Sequence, residues 1–281
     1  MKTLNGRTAV ITGAASGIGR SLALALAREN TNLALCDIDE AGLTETAKQA
    51  AELGVDVFQQ VLDVADRKAF FAFRDQVVEH FAGRVHIVVN NAGVSLRATV
   101  DDMELDDFEW LMNINFWGVV SGTQAFLPIL RSVDEGHIVN ISSVFGIIGV
   151  PTQAAYCASK FAVRGFTESL RLELLAEEAN INVSSVHPGG IKTNIVRNGR
   201  VRPMSRFDDS QDLVKQFDRM AQTSPEDAAK TIIQGIKRNT PRILIGNDAK
   251  AIDVAQRTLP SLYQKLAVRI PAIGLKMRKD K

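Results

Sequence analysis

Thr12-Gly13-Ala14-Ala15-Ser16-Gly17-Ile18-Gly19 follows directly on the β-branched run Thr8–Thr12 and leads into a segment where Ile18, Leu22 and Leu26 recur at i, i+4 and i+8. That pattern reads as a strand, a tight glycine turn and a helix with one apolar face. Gly13 permits the turn, Gly17 lets bare backbone approach a pyrophosphate, and Gly19 permits close packing of helix on strand. The helix start adds free N–H groups and the positive end of its dipole, a seat for phosphate. A glycine triple alone is also an ordinary turn; its place between a strand and a helix makes it a dinucleotide loop.

The next strand, Leu33–Asp37, ends on Asp37, 18 residues after Gly19. A carboxylate at that distance accepts hydrogen bonds from the adenosine ribose hydroxyls and repels a 2′-phosphate. Ile38, Asp39 and Glu40 follow without a basic residue, and Ser16 in the loop is uncharged. NAD is therefore favoured over NADP.

Outward from this unit the same alternation continues. Apolar runs stand at Val55–Leu62, Val85–Asn90, His137–Ser142, Asn182–His187 and Arg242–Gly246, with helical periodicity between them, as in Ala162, Phe166, Leu170 and Leu174. Repeated strand–helix–strand units bury such strands in a parallel sheet covered by helices on both faces. Right-handed crossovers then give a doubly wound, Rossmann-type α/β fold of about seven strands in a single domain, residues 5–250. Residues 193–224 read as a lid over the substrate, without a strand and with a short amphipathic helix marked by Leu213, Val214, Phe217 and Met220. A basic and apolar extension spans 251–281.

Composition sets the outer limits. Of 281 residues, 46% are apolar and 23% charged, as in an ordinary globular protein. Lysines and arginines number 33 against 32 acids, so no global positive field recommends nucleic acid as a partner. Two cysteines, Cys36 and Cys157, form no disulfide framework, and Met1–Gly6 lacks a leader-like apolar run, so a reducing, cytoplasmic setting is expected. No charge-free stretch is long enough to span a bilayer. His80, His86, His137 and His187 have no metal-ligand spacing with the cysteines, and no metal is expected.

Tyr156 and Lys160 stand four residues apart at the start of a predicted helix and so project from one face. A tyrosine hydroxyl is a poor base at neutral pH; bringing it into range asks for about 3–4 kcal/mol, which one close, partly desolvated ammonium supplies. The Ser143 hydroxyl, just past the strand His137–Ser142, is placed to hold a substrate oxygen beside Tyr156. Such a group exchanges the alcohol proton while a nicotinamide moves the hydride.

The glycine loop, the run Asn90-Asn91-Ala92-Gly93, Asn115, Ser143, Tyr156-Cys157-Ala158-Ser159-Lys160 and Pro188-Gly189 fall in one order. Together they resemble the short-chain dehydrogenase/reductase (SDR) family over about residues 5–246. The resemblance implies Tyr156 as catalytic acid/base, Lys160 as its tuner and ribose anchor, Ser143 as substrate-oxygen ligand and Asn115 as holder of a water. It implies cofactor contacts at Gly13, Ser16, Gly17, Ile18, Gly19, Asp37, Asp63, Val64, Asn90, Gly93, Tyr156, Lys160, Pro188, Ile191 and Thr193. It also implies a homodimer or homotetramer paired through helices near Leu105–Leu130 and Gln153–Glu178. Gly189-Gly190-Ile191 is an unusually small loop for its place over the nicotinamide.

Val94, Ser95, Phe145, Gln153, Gly190 and the lid helix make the expected pocket mostly apolar, which suits a secondary alcohol or ketone with a hydrophobic body. Arg197, Arg200, Arg202 and Arg206 read first as a solvated loop, with an acidic substrate or acyl-CoA phosphate as the competing idea. In the tail, Leu259, Leu262, Tyr263, Leu266, Ile270 and Ile273 recur at helical spacing between basic residues. A neighbouring subunit is the first expectation for that stripe, and peripheral membrane contact through 259–281 the second. Two other functions stay open: an NAD(H)-binding regulator without turnover, and a non-redox lyase or epimerase on the same fold.

Overall fold

A computed structural model describes residues 1–206 and 213–267. Its central sheet takes β1 (Thr8–Thr12), β2 (Asn32–Asp37), β3 (Val57–Val61), β4 (Ile87–Asn90), β6 (Gly136–Ile141), β7 (Ile181–Pro188) and β9 (Arg242–Ile245). They lie in the order β3-β2-β1-β4-β6-β7-β9 with every pair parallel. The expected single, doubly wound sheet of seven strands is what forms.

Alternate residues of each strand feed two cores. Ala9, Ile11, Leu33, Leu35, Ile87 and Val89 join the layer under α1 (Gly17–Arg28), α2 (Glu40–Ala51) and α8 (Pro225–Lys237). Val10, Ala34, Cys36, Val88 and Ile138 face the opposite layer, built from α3 (Arg67–His80), α5 (Gly118–Leu130) and α6 (Ala154–Ala176). There Phe70, Phe73 and Phe126 pack edge to face with ring centroids 6.0–6.5 Å apart. Burial on both faces explains the apolar runs of the inner strands β1, β2 and β4.

Three departures from the sequence reading bear on the site. The helix expected near Leu105–Leu130 is α4 (Leu105–Met112) and α5 joined by a π turn, Asn113–Trp117. The span 193–224 does contain a strand: β8 (Arg200–Val201) pairs parallel with β5 (Leu96–Arg97) in a separate two-stranded sheet. That span also holds the expected short helix, α7 (Leu213–Met220). Third, the C-terminal extension starts as α9 (Asn247–Thr258) and α10 (Leu262–Ala267), broken around Pro260. Ile270, Ile273 and the terminal basic cluster lie outside the described residues, as do the side chains of Leu213, Val214, Met220 and Leu266. Among the described residues no helix is long and apolar enough to cross a membrane.

Candidate active site

The site forms along the C-terminal edge of the sheet, where β1, β4, β6 and β7 end and the strand order reverses between β1 and β4. That is where doubly wound sheets bind ligands. Gly13 and Gly17 take left-handed backbone at φ +67° and +53°. A Cβ on Gly13 would lie 2.8 Å from Ala92 Cα, and one on Gly19 only 2.0 Å from the Gly13 carbonyl oxygen. Ser16 caps α1 without a side-chain hydrogen bond, and no acidic residue stands in the first turn. The helix start is therefore bare and positive, a fit for a diphosphate.

Asp37 Oδ2 accepts the Ala15 N–H at 2.9 Å and its Oδ1 the Asp39 N–H at 3.0 Å, so the carboxylate sits at the rim of the loop. Arg20, a nearby cation, is engaged by the carbonyls of Ala15 and Gly42 and by Thr46 Oγ1. Asp63 is exposed and accepts the Ala65 N–H, while Val64 is buried beneath Gly118. Thr193 lies over Gly17, its Cγ2 3.1 Å from where a Cβ would stand. Ile191 turns into the core, which leaves only its backbone toward the loop.

Asn90 does not present its side chain to this edge. The amide is buried and donates to Asn140 Oδ1 at 2.8 Å and to Thr123 Oγ1 at 3.2 Å, within the helix layer. Its neighbour Asn91 is the residue that the sequence reading missed. Asn91 Nδ2 donates to the carbonyls of Thr12 and Gly13, and the N–H groups of Asn91 and Ala92 donate to Thr12 Oγ1. These bonds pin the glycine loop to the end of β4. A second amide immediately after that strand was the available signal.

Ser143, Tyr156 and Lys160 converge at the ends of β6 and α6, exposed by 9%, 8% and 2%. Ser143 hydrogen-bonds the Tyr156 hydroxyl. Its Oγ also accepts the Phe145 N–H at 3.1 Å. His187 makes a 3.0 Å hydrogen bond from Nδ1 to the Ser143 carbonyl, with Ser185 Oγ on its other nitrogen. Burial pushes the His187 imidazole down to about 4, so it is neutral and donates. This buried support for Ser143 was also invisible in the sequence.

Burial works against the expected tuning of Tyr156. Burial pushes Tyr156 up to about 12, the Ser143 hydrogen bond opposing it. Lys160 Nζ lies 5.6 Å from the Tyr156 ring centroid and donates to the Ile141 carbonyl at 3.1 Å. Burial lowers that ammonium to about 8. Asn115, on the π turn, holds the backbone of Val94 from both sides, accepting its N–H at 2.8 Å and donating to its carbonyl at 2.9 Å. Gly93 fits between, where a Cβ would stand 3.2 Å from Asn115 Oδ1 and 3.4 Å from Lys160 Nζ. π turns recur at functional positions, and here one delivers the buried amide.

Around Tyr156 a third apolar cluster gathers Leu96, Leu111 and Ala155 with Val94, Phe145 and Ile195. Phe145 meets the Tyr156 ring edge to face at 6.0 Å. Ser95 instead donates to the Ile195 carbonyl, and Gln153 pairs with Ala98. Phe217 of α7 is half-buried. Four of the five arginines of the lid are paired within the chain. Arg200 and Arg202 both bind Asp107, Arg202 also binds Glu104, Arg197 binds Asp218 and Arg206 binds Asp101. These pairings fit the reading of this segment as a solvated loop.

A family model described as short chain dehydrogenase matches residues 7–202. The chain belongs to the short-chain dehydrogenase family. SadH of Mycobacterium tuberculosis, named as an oxidoreductase, is 50% identical over 267 residues, 95% of each chain. The dehydrogenase/reductase SDR family member 7B of Xenopus tropicalis is 33% identical, over 90% of this chain and 82% of its own. Among solved structures, a short-chain dehydrogenase from Burkholderia phymatum in complex with NAD superimposes with a TM-score of 0.84 at 30% identity, covering 94% of this chain and 97% of its own. An alcohol dehydrogenase from Thermococcus sibiricus complexed with 5-hydroxy-NADP gives 0.73 at 25% identity, covering 85% and 95%. This short-chain dehydrogenase is thus an oxidoreductase of a family that binds NAD(P) and works on small molecules.

Proposed function

We propose that the chain interconverts a secondary alcohol and a ketone on a hydrophobic substrate, with NAD preferred, and that it works as a homo-oligomer. The observation that carries this reading is the buried convergence of Ser143, Tyr156 and Lys160 beside the bare Gly13–Gly19 loop. Asp37 at the loop rim, with Asp39 and Glu40 next to it and Arg20 engaged by backbone carbonyls, supports NAD over NADP. Exposed Trp117, Phe161, Leu172 and Leu175 on the outer faces of the π turn and α6 support pairing with a second copy.

A bound nicotinamide cofactor would supply or take up the hydride. Tyr156, protonated over the whole neutral range, gives its proton to a ketone oxygen held by the Ser143 hydroxyl, and regains it when the alcohol is oxidised. The phenolate left by reduction is stabilised by the Lys160 ammonium once that group leaves the Ile141 carbonyl. Gly13, Gly17 and the start of α1 would hold the diphosphate, and Asp37 the adenosine ribose. The wall of Val94, Phe145 and Ile195 excludes water from the reacting oxygen.

Absorbance at 340 nm, with NAD or NADP and a panel of apolar and polar secondary alcohols, tests the reading against Tyr156→Phe. The expected result is NAD-dependent turnover of apolar alcohols that falls at least about 10³-fold in the variant, with NADH binding retained. Turnover of small polyols alone would overturn the pocket, and preference for NADP the role of Asp37. NADH binding without turnover of any member would favour a regulator, and conversion without net NAD reduction a lyase or epimerase. Sedimentation velocity on the same preparation checks the oligomer.

A further inference from the structure

The small loop Gly189-Gly190-Ile191 has a physical cause outside the family motifs. Asp248, in the first turn of α9, lies against it. The Gly190 N–H donates to Asp248 Oδ2 at 2.7 Å. A Cβ on Gly189 would lie 2.2 Å from that oxygen and 2.4 Å from Asp248 Cγ, so no side chain fits there while the carboxylate is in place. Gly246, left-handed at φ +95°, brings β9 round so tightly that its own Cβ would lie 2.3 Å from Asp248 Oδ1. The Gly189 N–H meanwhile donates to the Ile245 carbonyl at 2.9 Å, and the Thr223 N–H to the Gly190 carbonyl at 3.3 Å. Four residues beyond Gly189, Thr193 lies over Gly17. The carboxylate is solvent-exposed and contributes nothing to the core. A carboxylate makes a stronger bond to an N–H than a neutral acceptor does.

We propose that Asp248 is a positioning residue that fixes the Gly189–Gly190 backbone against which the nicotinamide half of the cofactor rests, a role that presupposes the dinucleotide reading above. It recognises no part of the cofactor itself; it sets where the loop stands.

Titration of the full-length protein with NADH and with 5′-AMP tests this. The adenosine half depends on Gly13–Gly19 and Asp37, so 5′-AMP reports the part of the site that Asp248 does not touch. In Asp248→Ala the NADH dissociation constant is expected to rise about tenfold, the loss of one charge-assisted hydrogen bond, with 5′-AMP affinity and Tm unchanged. Asp248→Asn keeps an acceptor for the Gly190 N–H and is expected to restore NADH binding to within about threefold of the native chain. Gly189→Ala is expected to weaken NADH binding less in the Asp248→Ala background than alone, because the obstructing carboxylate is gone. Unchanged NADH affinity in Asp248→Ala, or equal loss of NADH and 5′-AMP, would overturn the proposal. A native chain that binds neither nucleotide overturns the dinucleotide reading first, and this inference with it.

Discussion

At the residue scale, Lys160 is held at a cost to the fold. The ammonium is 2% exposed, and the hydrogen bond it donates here goes to the neutral carbonyl of Ile141. Burial lowers it from the usual lysine range to about 8. A depressed lysine pKa means that the unfolded chain binds the proton more tightly than the folded one. The penalty is therefore complete below pH 8 and fades as pH rises toward the unfolded value near 10.5. Lys160→Met removes the charge at similar volume. It should raise unfolding free energy at pH 7 by about 3 kcal/mol while abolishing turnover, a trade expected where function requires a strained group. Urea denaturation of both proteins at pH 7 and pH 10 checks this; a stability gap that fails to narrow at the higher pH would contradict a lysine buried in its charged form. Ser143, Tyr156 and Lys160 were legible in the sequence because their spacing is fixed by one strand end and one helix turn. His187 and Asp248 were not, because each acts through a backbone group more than 40 residues away in sequence.

At the scale of elements, the sheet could be read because its inner strands are buried on both faces and so carry apolar runs, as in β1 and β4. The short pair β5 and β8 could not. Two residues carry no periodicity, and what holds them is a contact between distant side chains. Asp107 on α4 lies among acidic residues of an amphipathic helix, where a carboxylate reads as solvent-facing. Its side chain is instead 1% exposed, bound by Arg200 at 2.8 Å and Arg202 at 2.5 Å, with Arg200 stacked 3.8 Å above the Trp110 ring. These bonds tie the first part of the lid onto the wall that carries Leu111 and Ile195 beside Tyr156. Both arginines remain about one-third to one-half exposed, so water screens much of the pairing. Asp107→Ala should therefore cost only about 1–2 kcal/mol of global stability, less than a wholly buried pair. Locally the effect should be larger, since β8 then has two ladder positions and little else. Trypsin cleavage after Arg200 should accelerate about tenfold in the variant, following the local opening equilibrium. Equal cleavage rates would show that the mini-sheet and Met204 hold the segment without the ion pairs.

Across the whole molecule, acid rather than base should set the limit of stability. His137 and His187 are fully buried, and burial pushes them down to about 3 and about 4 from an ordinary value of 6.5. The folded protein refuses protons that the unfolded chain accepts. Stability is therefore complete above pH 6.5 and is lost as pH falls from there through the folded values. Two such groups give a slope of about 2.7 kcal/mol per pH unit at its steepest, between pH 4 and 6. By pH 4.5 the accumulated loss is about 5 kcal/mol, comparable with the total stability of many domains. Asp134, held at about 2 by Arg7, begins to contribute only when pH drops below the usual carboxylate range. The order of events is thus fixed by the histidines. Urea midpoints measured from pH 7.5 down to 4.5 should fall steeply from pH 6, with no matching decline from 7.5 to 8.5. His187 links this transition to the site, since its protonation would place a charge beside the Ser143 carbonyl and beneath Pro188. Loss of NADH binding should accordingly follow global unfolding as pH falls and not precede it, because a site that opened first would have to protonate His187 in the folded state, more than two units below its ordinary value. NADH titrations beside far-ultraviolet circular dichroism over the same pH series decide the order.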